Sequence, residues 1–252
     1  MTAAEILAAL ELPKASRVDR RVPKTLLLEH GARTPADKRR VNEGIERATW
    51  VAALKPTTVG VAAFDDGIRQ YLEVAVLHLL LRPAADLDRL TLVMHRAVPY
   101  PVVGVTELEC CTMLSLAHVR WSRGEAGRTV LDGSLVTAEW HAAGDEPYRD
   151  AFLHALALGR QPRATLRSVY QGWIDVVAAL HAARRTGSFV MMDSDAARKE
   201  RREALEALER LEAEAARLRA AASRATQMAK QVELNLELKR AEAELAAATA
   251  KL

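Results

Sequence analysis

The chain has 252 residues, half of them hydrophobic and 4% aromatic, with a formal net charge of +3. That is ample apolar material for one core of ordinary size plus an appendage, and too little charge to announce a nucleic-acid binder by itself. No run approaches the ~18 uncharged apolar residues of a membrane span; the longest, VAVLHLLL, stops at Arg82.

The opening segment, MTAAEILAALELPK, lacks the basic start and small-residue cleavage site of an export signal. It reads as a short amphipathic helix ending at Pro13, and a cytoplasmic protein is expected. Residues 1–40 then carry nine Lys or Arg against five acids, an excess larger than that of the whole chain. Within PKASRVDRRVPK, Lys14, Arg17, Arg20, Arg21 and Lys24 crowd a stretch bounded by proline at both ends. It reads as a basic loop suited to a phosphate backbone or an acidic protein face, or as a solvated loop with no partner. No aromatic residue falls between positions 1 and 49, so this loop lacks the stacking platforms that reading of bases needs.

Thr34, Pro35 and Asp37 have the order of an N-cap, a first-turn proline and an acid facing the free amides. The stripe Val41, Ile45, Ala48, Ala52 extends the predicted helix to about Leu54, where Lys55 and Pro56 end it. TTVGVAAF and IRQYLEVAVLHLLLR, joined by Asp65-Asp66-Gly67, read as a β-hairpin. Residues 74–81 are apolar on both faces apart from His78, which predicts a central strand with a hydrogen-bonded histidine. DLDRLTLVMHRAV is a second helix, stopped by Pro99, with Leu87, Leu90 and Met94 inward. Strands are expected in PVVGVTEL, ECCTMLSLAHVRW and RTVLDGSLVTAEW, and helices in PYRDAFLHALAL and ATLRSVYQGWIDVVAALHAARR. The class is therefore α+β, with a mostly antiparallel sheet of about five strands and flanking helices. Residues 1–190 form the expected globular domain, and Thr186 to Ser188 a hinge before residues 191–252.

In this last segment, positions 208, 211, 215, 218, 222, 225, 229, 232 and 236 are apolar or small, stepping by three and four. That is a heptad seam. A second seam, Leu234, Leu238, Ala241, Leu245, Ala248 and Leu252, lies on roughly the opposite side, because two residues turn a helix through ~200°. The strand-like alternation of QVELNLELKR is thus read as a helix apolar on both flanks. The helix is either continuous or a hairpin folded near Ser223 to Thr226. Its partner-facing residues are expected to be Leu208, Leu211, Leu218, Val232, Leu234, Leu236, Leu238 and Leu245.

Chemistry-bearing patterns are sparse. Cys110 and Cys111 are adjacent and read as buried free thiols. The histidines are scattered without zinc spacing, so no metal and no cofactor is expected. There is no phosphate-binding glycine loop, and Ser134 in LDGSLV is a turn residue. Asp132, Glu139 and His141, or Asp65 and Asp66 with Glu73, are the nearest approach to the acid cluster of a metal-dependent nuclease.

VELNLELKR resembles the C-terminal signature of the bacterial family called domain of unknown function 4391, in which a charged coiled-coil stretch leads into Val-Glu-Leu-Asn and a following Leu-Lys. VPK at 22–24, IERATWVAALKPTTVGV at 45–61, AVPYPVV at 97–103 and LSLAH at 114–118 are similar to the family's pattern in the same order. The recurrent residues would be Pro23, Lys24, Trp50, Pro99, Pro101, Val232, Glu233, Asn235 and Lys239. TQMAK at 226–230 departs from it where a phenylalanine and an asparagine are expected. The resemblance implies a setting beside helicases, nucleases and adenine-specific DNA methyltransferases in phage-defence clusters. The expected function is a non-enzymatic accessory or scaffold subunit of such a system. It would dock through the C-terminal helix on a helicase, a methyltransferase or a second copy, with DNA contact through the basic loop; a metal-dependent nuclease is the alternative.

Overall fold

The computed structural model describes residues 1–125, 128–140, 142–249 and 252. They form two compact units, Met1–Val177 and Ala178–Leu252, and the division falls inside one long helix.

The first unit opens with α1 (Ala3–Ala9), started by a capping box between Thr2 and Glu5. A short turn leads to β1 (Arg17–Arg21) and the helical turn α2 (Lys24–Leu26). A wider π-type turn over Leu27–Gly31 follows. Helix α3 (Pro35–Gly44) begins as the sequence predicts, with Thr34 and Asp37 capping each other's amides. Next come β2 (Ile45–Leu54), α4 (Pro56–Val59), β3 (Phe64–Asp65), β4 (Gln70–Tyr71) and β5 (Val74–Leu81). Helix α5 (Leu87–Ala97) crosses to β6 (Val102–Leu108), which turns back into β7 (Cys111–Leu116). The hairpin β8 (Val119–Trp121) and β9 (Thr129–Leu131) precedes β10 (Val136–Glu139). Helices α6 (Ala142–Asp145), α7 (Arg149–Leu156) and α8 (Leu166–Thr186) complete it.

The main sheet has the order β1-β2-β5-β6-β7-β10. The β5–β6 pair is parallel, joined through α5 as a parallel pair requires, and the other neighbours are antiparallel. One face carries Ile45, Ala48, Leu77 and Leu79 against Leu90, Val93 and Met94 of α5. On α8, the Tyr170 hydroxyl accepts the Ala117 amide and donates to the Val102 carbonyl, both at 2.7 Å. The Trp173 indole donates to Leu156. Gly104 is required where β6 passes α5: a Cβ there would stand 2.5 Å from Ser115 Oγ and closer still to Met94 Cε.

The second unit holds the end of α8, then α9 (Asp195–Arg224) and α10 (Met228–Thr249), with Ser194 capping α9. The chain turns back over Ala225–Gln227, so the two helices form a hairpin. Ala215, Leu218 and Ala222 of α9 cluster with Leu234 and Ala241 of α10, and Leu238 packs beside them. Small residues on α9 let the helix axes approach. Arg219 on α9 reaches Glu242 on α10 at 2.7 Å.

Four expectations are corrected. The basic stretch is an edge strand, β1, rather than a loop, and supplies a sixth strand to the sheet. The helix begun at Thr34 stops at Gly44 and the chain continues as β2, because Ile45 and Ala48 meet the same core from a strand. The three-and-four stripe imitated a helix because β2 is bulged twice, between Ile45 and Arg47 and between Trp50 and Ala52, which breaks the strand's alternation. Residues 56–59 are a helical turn closed by Gly60 at φ 65° rather than a strand; the Asp65-Asp66-Gly67 turn joins only the two-residue strands β3 and β4. Cys110 is exposed and Cys111 half-buried, since both sit at the turn between β6 and β7.

Candidate functional site

Three places bear on function, and two of them, β1 and the helical hairpin, hold residues singled out by sequence. On β1, Arg20 pairs with Trp50 and Arg21 with Thr49, so successive side chains leave opposite faces of the sheet edge. Lys14, Arg17, Arg20 and Arg21 are exposed, but β1 spreads them instead of converging them. Charged side chains and a bulge between Arg17 and Arg20 also keep this open edge from pairing with another strand. Lys24 is committed elsewhere: its Nζ donates to the Asn42 carbonyl at 3.0 Å. Arg82 donates to Glu43 through its side chain and to Gly44 through its amide. The last carbonyls of α3 are thus capped by cations, as a helix C-terminus favours. Burial, then Arg82 and Arg21, push the Lys24 ammonium below its ordinary pKa.

Other family-motif residues in this unit are structural. The Trp50 indole donates to the Ala52 carbonyl at 2.9 Å across the bulge. The Pro101 carbonyl accepts the Ala75 amide and so begins the parallel pairing. Pro23 precedes α2 and Pro99 lies past the end of α5.

The second place is the helical hairpin. Leu208, Leu218 and Leu234 are buried, and Leu211, Leu238 and Leu245 half-buried. Val232 and Leu236 are 54% and 55% exposed, and Met228 before them is 80% exposed. These three follow one another at four-residue steps along one flank of α10. Asn235 and Lys239 are exposed on the same flank, while Glu233 is tied to Lys230 at 2.8 Å. The residues that carry the VELN resemblance therefore lie mostly on the side of α10 that α9 does not cover.

The acids considered for metal chemistry are engaged by cations and amides. Asp65 accepts from Gly67 and Gln70, and Asp66 from Ile68 and Arg69. Glu73 meets Lys55 at 3.1 Å, and Asp132 is held by Arg69 and Arg120. Glu139 accepts from the Cys111 thiol, which burial and this carboxylate push up to about 12. His141 lies outside the described residues. Among the described residues no three His, Cys, Asp or Glu side chains converge as a metal set. His118 is half-buried and engaged at both ring nitrogens: its Nδ1 accepts from the Tyr71 hydroxyl and its Nε2 donates to Gln171. Burial holds its pKa below the ordinary value.

The third place was not foreseen. The last turn of α5, the turn before α3 and the β8–β9 hairpin enclose a cavity of about 480 Å³ lined by Arg33, Arg96, Arg120, Arg123 and Arg128. Two neighbouring depressions, about 510 and 390 Å³, share Arg128 with it, and also Arg96 or Arg33. Glu125 occupies Arg128, and Asp132 lies 3.5 Å from Arg120. Arg33, Arg96 and Arg123 have no carboxylate within 4.0 Å among the described residues. Burial and then Arg33 depress the Arg96 pKa. Three of the five arginines, Arg120, Arg123 and Arg128, are neighbours in the β8–β9 hairpin, whereas Arg33 and Arg96 are distant in sequence and only the fold brings them alongside.

With this geometry in place, the chain can be set against known families. It belongs to the family described as domain of unknown function 4391. The family's model matches residues 10–245. No curated protein and no solved structure matches the chain. Among the described residues, no helix of this family member is long and apolar enough to cross a membrane.

Proposed function

We propose that this member of the domain of unknown function 4391 family is a non-enzymatic accessory subunit of a bacterial phage-defence system, acting in the cytoplasm. It docks a helix of a partner protein, such as the system's helicase or DNA methyltransferase, on the uncovered flank of α10. The observation that carries the reading is the exposure of Val232 and Leu236 beside a covered Leu234. An amphipathic partner helix reads such anchors at four-residue spacing in the helix-in-groove manner. Lys230, Lys239 and Arg240 flank the stripe with Glu233 and Glu237, a mixed rim that sets orientation more than affinity. The basic edge of β1 is the proposed point of contact with DNA, through phosphates and without base reading.

The test is purification of the tagged full chain from its native cells, mass spectrometry of the accompanying proteins, and sizing of the complex. A stoichiometric helicase or methyltransferase supports the reading. A monomer that carries nothing at any stage refutes it, and a dimer of the chain alone would transfer the same flank to self-association.

A further inference from the structure

Gathering like charges is unfavourable unless something offsets it. Guanidinium groups near one another at a protein surface repel, and a concave, low-dielectric wall focuses the resulting field into the cleft. In the cavity between α5 and the β8–β9 hairpin, Arg33, Arg96 and Arg123 have no carboxylate within 4.0 Å among the described residues, and the acids Glu29 and Glu125 line the neighbouring depressions instead. Arg96 is half-buried, and the charges that depress its pKa are Arg33 and Arg89, with Asp37 opposing them only as the weakest contribution. Among the described residues, the side chains of Arg33 and Arg96 make no hydrogen bond or ion pair with the fold. Glutamine at either position would keep a polar side chain and remove the repelling charge.

We propose that this arginine cavity is a binding site for a ligand carrying more than one phosphoryl group. Three unengaged guanidinium groups exceed the charge of a single phosphate, so one inorganic phosphate would leave the cluster uncompensated. Linked phosphates would match it, and the planar fork of arginine pairs two oxygens at once. The cavity is the size of a small-molecule site, and Leu92, Val98 and Val119 line it beside the arginines. The neighbouring depressions share Arg128 but are lined by Glu29, and one of them also by Glu125, so the phosphoryl groups are confined to the main cavity. The shared chemistry is thus a polyphosphate or a phosphodiester strand. No residue of β1 or α10 lines the site, so it stands whether or not the docking reading does.

Calorimetric titration of the full chain with inorganic tripolyphosphate and with a short single-stranded oligonucleotide tests this, repeated on Arg33→Gln/Arg96→Gln. Binding of either probe that weakens about tenfold or more in the double variant supports the site, and the tighter probe identifies the source as a free polyphosphate or a nucleic-acid strand. A variant with its β1 charges removed, Arg17→Gln/Arg20→Gln/Arg21→Gln, should keep binding to the cavity. The ligand-free double variant should melt at or above the wild-type temperature, because repulsion is relieved; a merely structural role for these arginines would lower it. If the double variant does melt lower, Arg123→Gln, whose side chain is exposed, carries the binding test instead. Failure of both probes to bind, or binding unaltered by the arginine variants, overturns the proposal.

Discussion

Val232 and Leu234 stand two residues apart on α10, yet the first is 54% exposed and the second 9%. Leu234 belongs to the cluster with Ala215, Leu218 and Ala222 of α9, and Val232 faces away from it. A helix with one flank covered and the other apolar is asymmetric in what its substitutions should do. Leu234→Ala should destabilise the hairpin by about 2 kcal/mol through cavity formation. Leu236→Ala should stay within about 0.5 kcal/mol. Hydrogen exchange of the α10 amides, compared between the two variants, checks this.

Asp37 links two helices. Its buried carboxylate receives Arg89 Nε at 2.6 Å and Nη2 at 2.8 Å, and also answers the Thr34 amide. The Arg89 hydrogen bonds hold its pKa far below the ordinary carboxylate range. A depressed folded value means stability that is present above the unfolded pKa near 3.8 and lost as pH falls below it. Asp37→Ala should cost about 2–4 kcal/mol, since it strands Arg89 and removes a cap. Chemical denaturation at neutral pH measures the loss.

His95 sets a second, higher window. It is buried, its Nε2 donates to Ser115 Oγ at 2.9 Å, and burial pushes its pKa from 6.5 down to about 3. The unfolded chain takes up this proton at a higher pH than the folded one. Stability should therefore fall as pH drops from about 6.5 toward 3, by about 1.4 kcal/mol per pH unit once the unfolded histidine is charged. His95→Gln should flatten the dependence over that range, measured by denaturant midpoints between pH 7 and pH 4.

Gly104 fills the gap that His95, Met94 and Ser115 leave around β6. Gly104→Ala should lower stability by about 2 kcal/mol through overpacking. The same strain should displace Ser115 from His95. An accompanying change in the pH dependence just described would confirm that the two are coupled.

Much of this fold is written in local patterns. Thr34 and Asp37 announced α3, and the apolar run 74–81 marked the central strand. What failed did so where two periods coincide. Ile45, Ala48 and Ala52 fit a helix by spacing, but a bulged strand also buries them, and only the pairing of β2 with β5 decides between the two. The basic residues of β1 were visible as charge, but their division between two sheet faces depends on long-range pairing. The turn at Ala225–Gln227 has no glycine or proline, so the hairpin was open to sequence reasoning only as an alternative to a straight helix. The arginine cavity is the extreme case, assembled from a turn, a helix end and a β-hairpin with no signal shared between them.

The proposed docking surface is the uncovered flank of α10. Val232→Asp/Leu236→Asp places two charges on that flank without touching the covered one, so the melting temperature should stay within a few degrees of wild type. In co-purification from native cells, quantified against the bait, this variant should recover less than a tenth of the partner that the wild-type chain recovers. Recovery at the wild-type level by a variant that melts normally would contradict the docking surface outright.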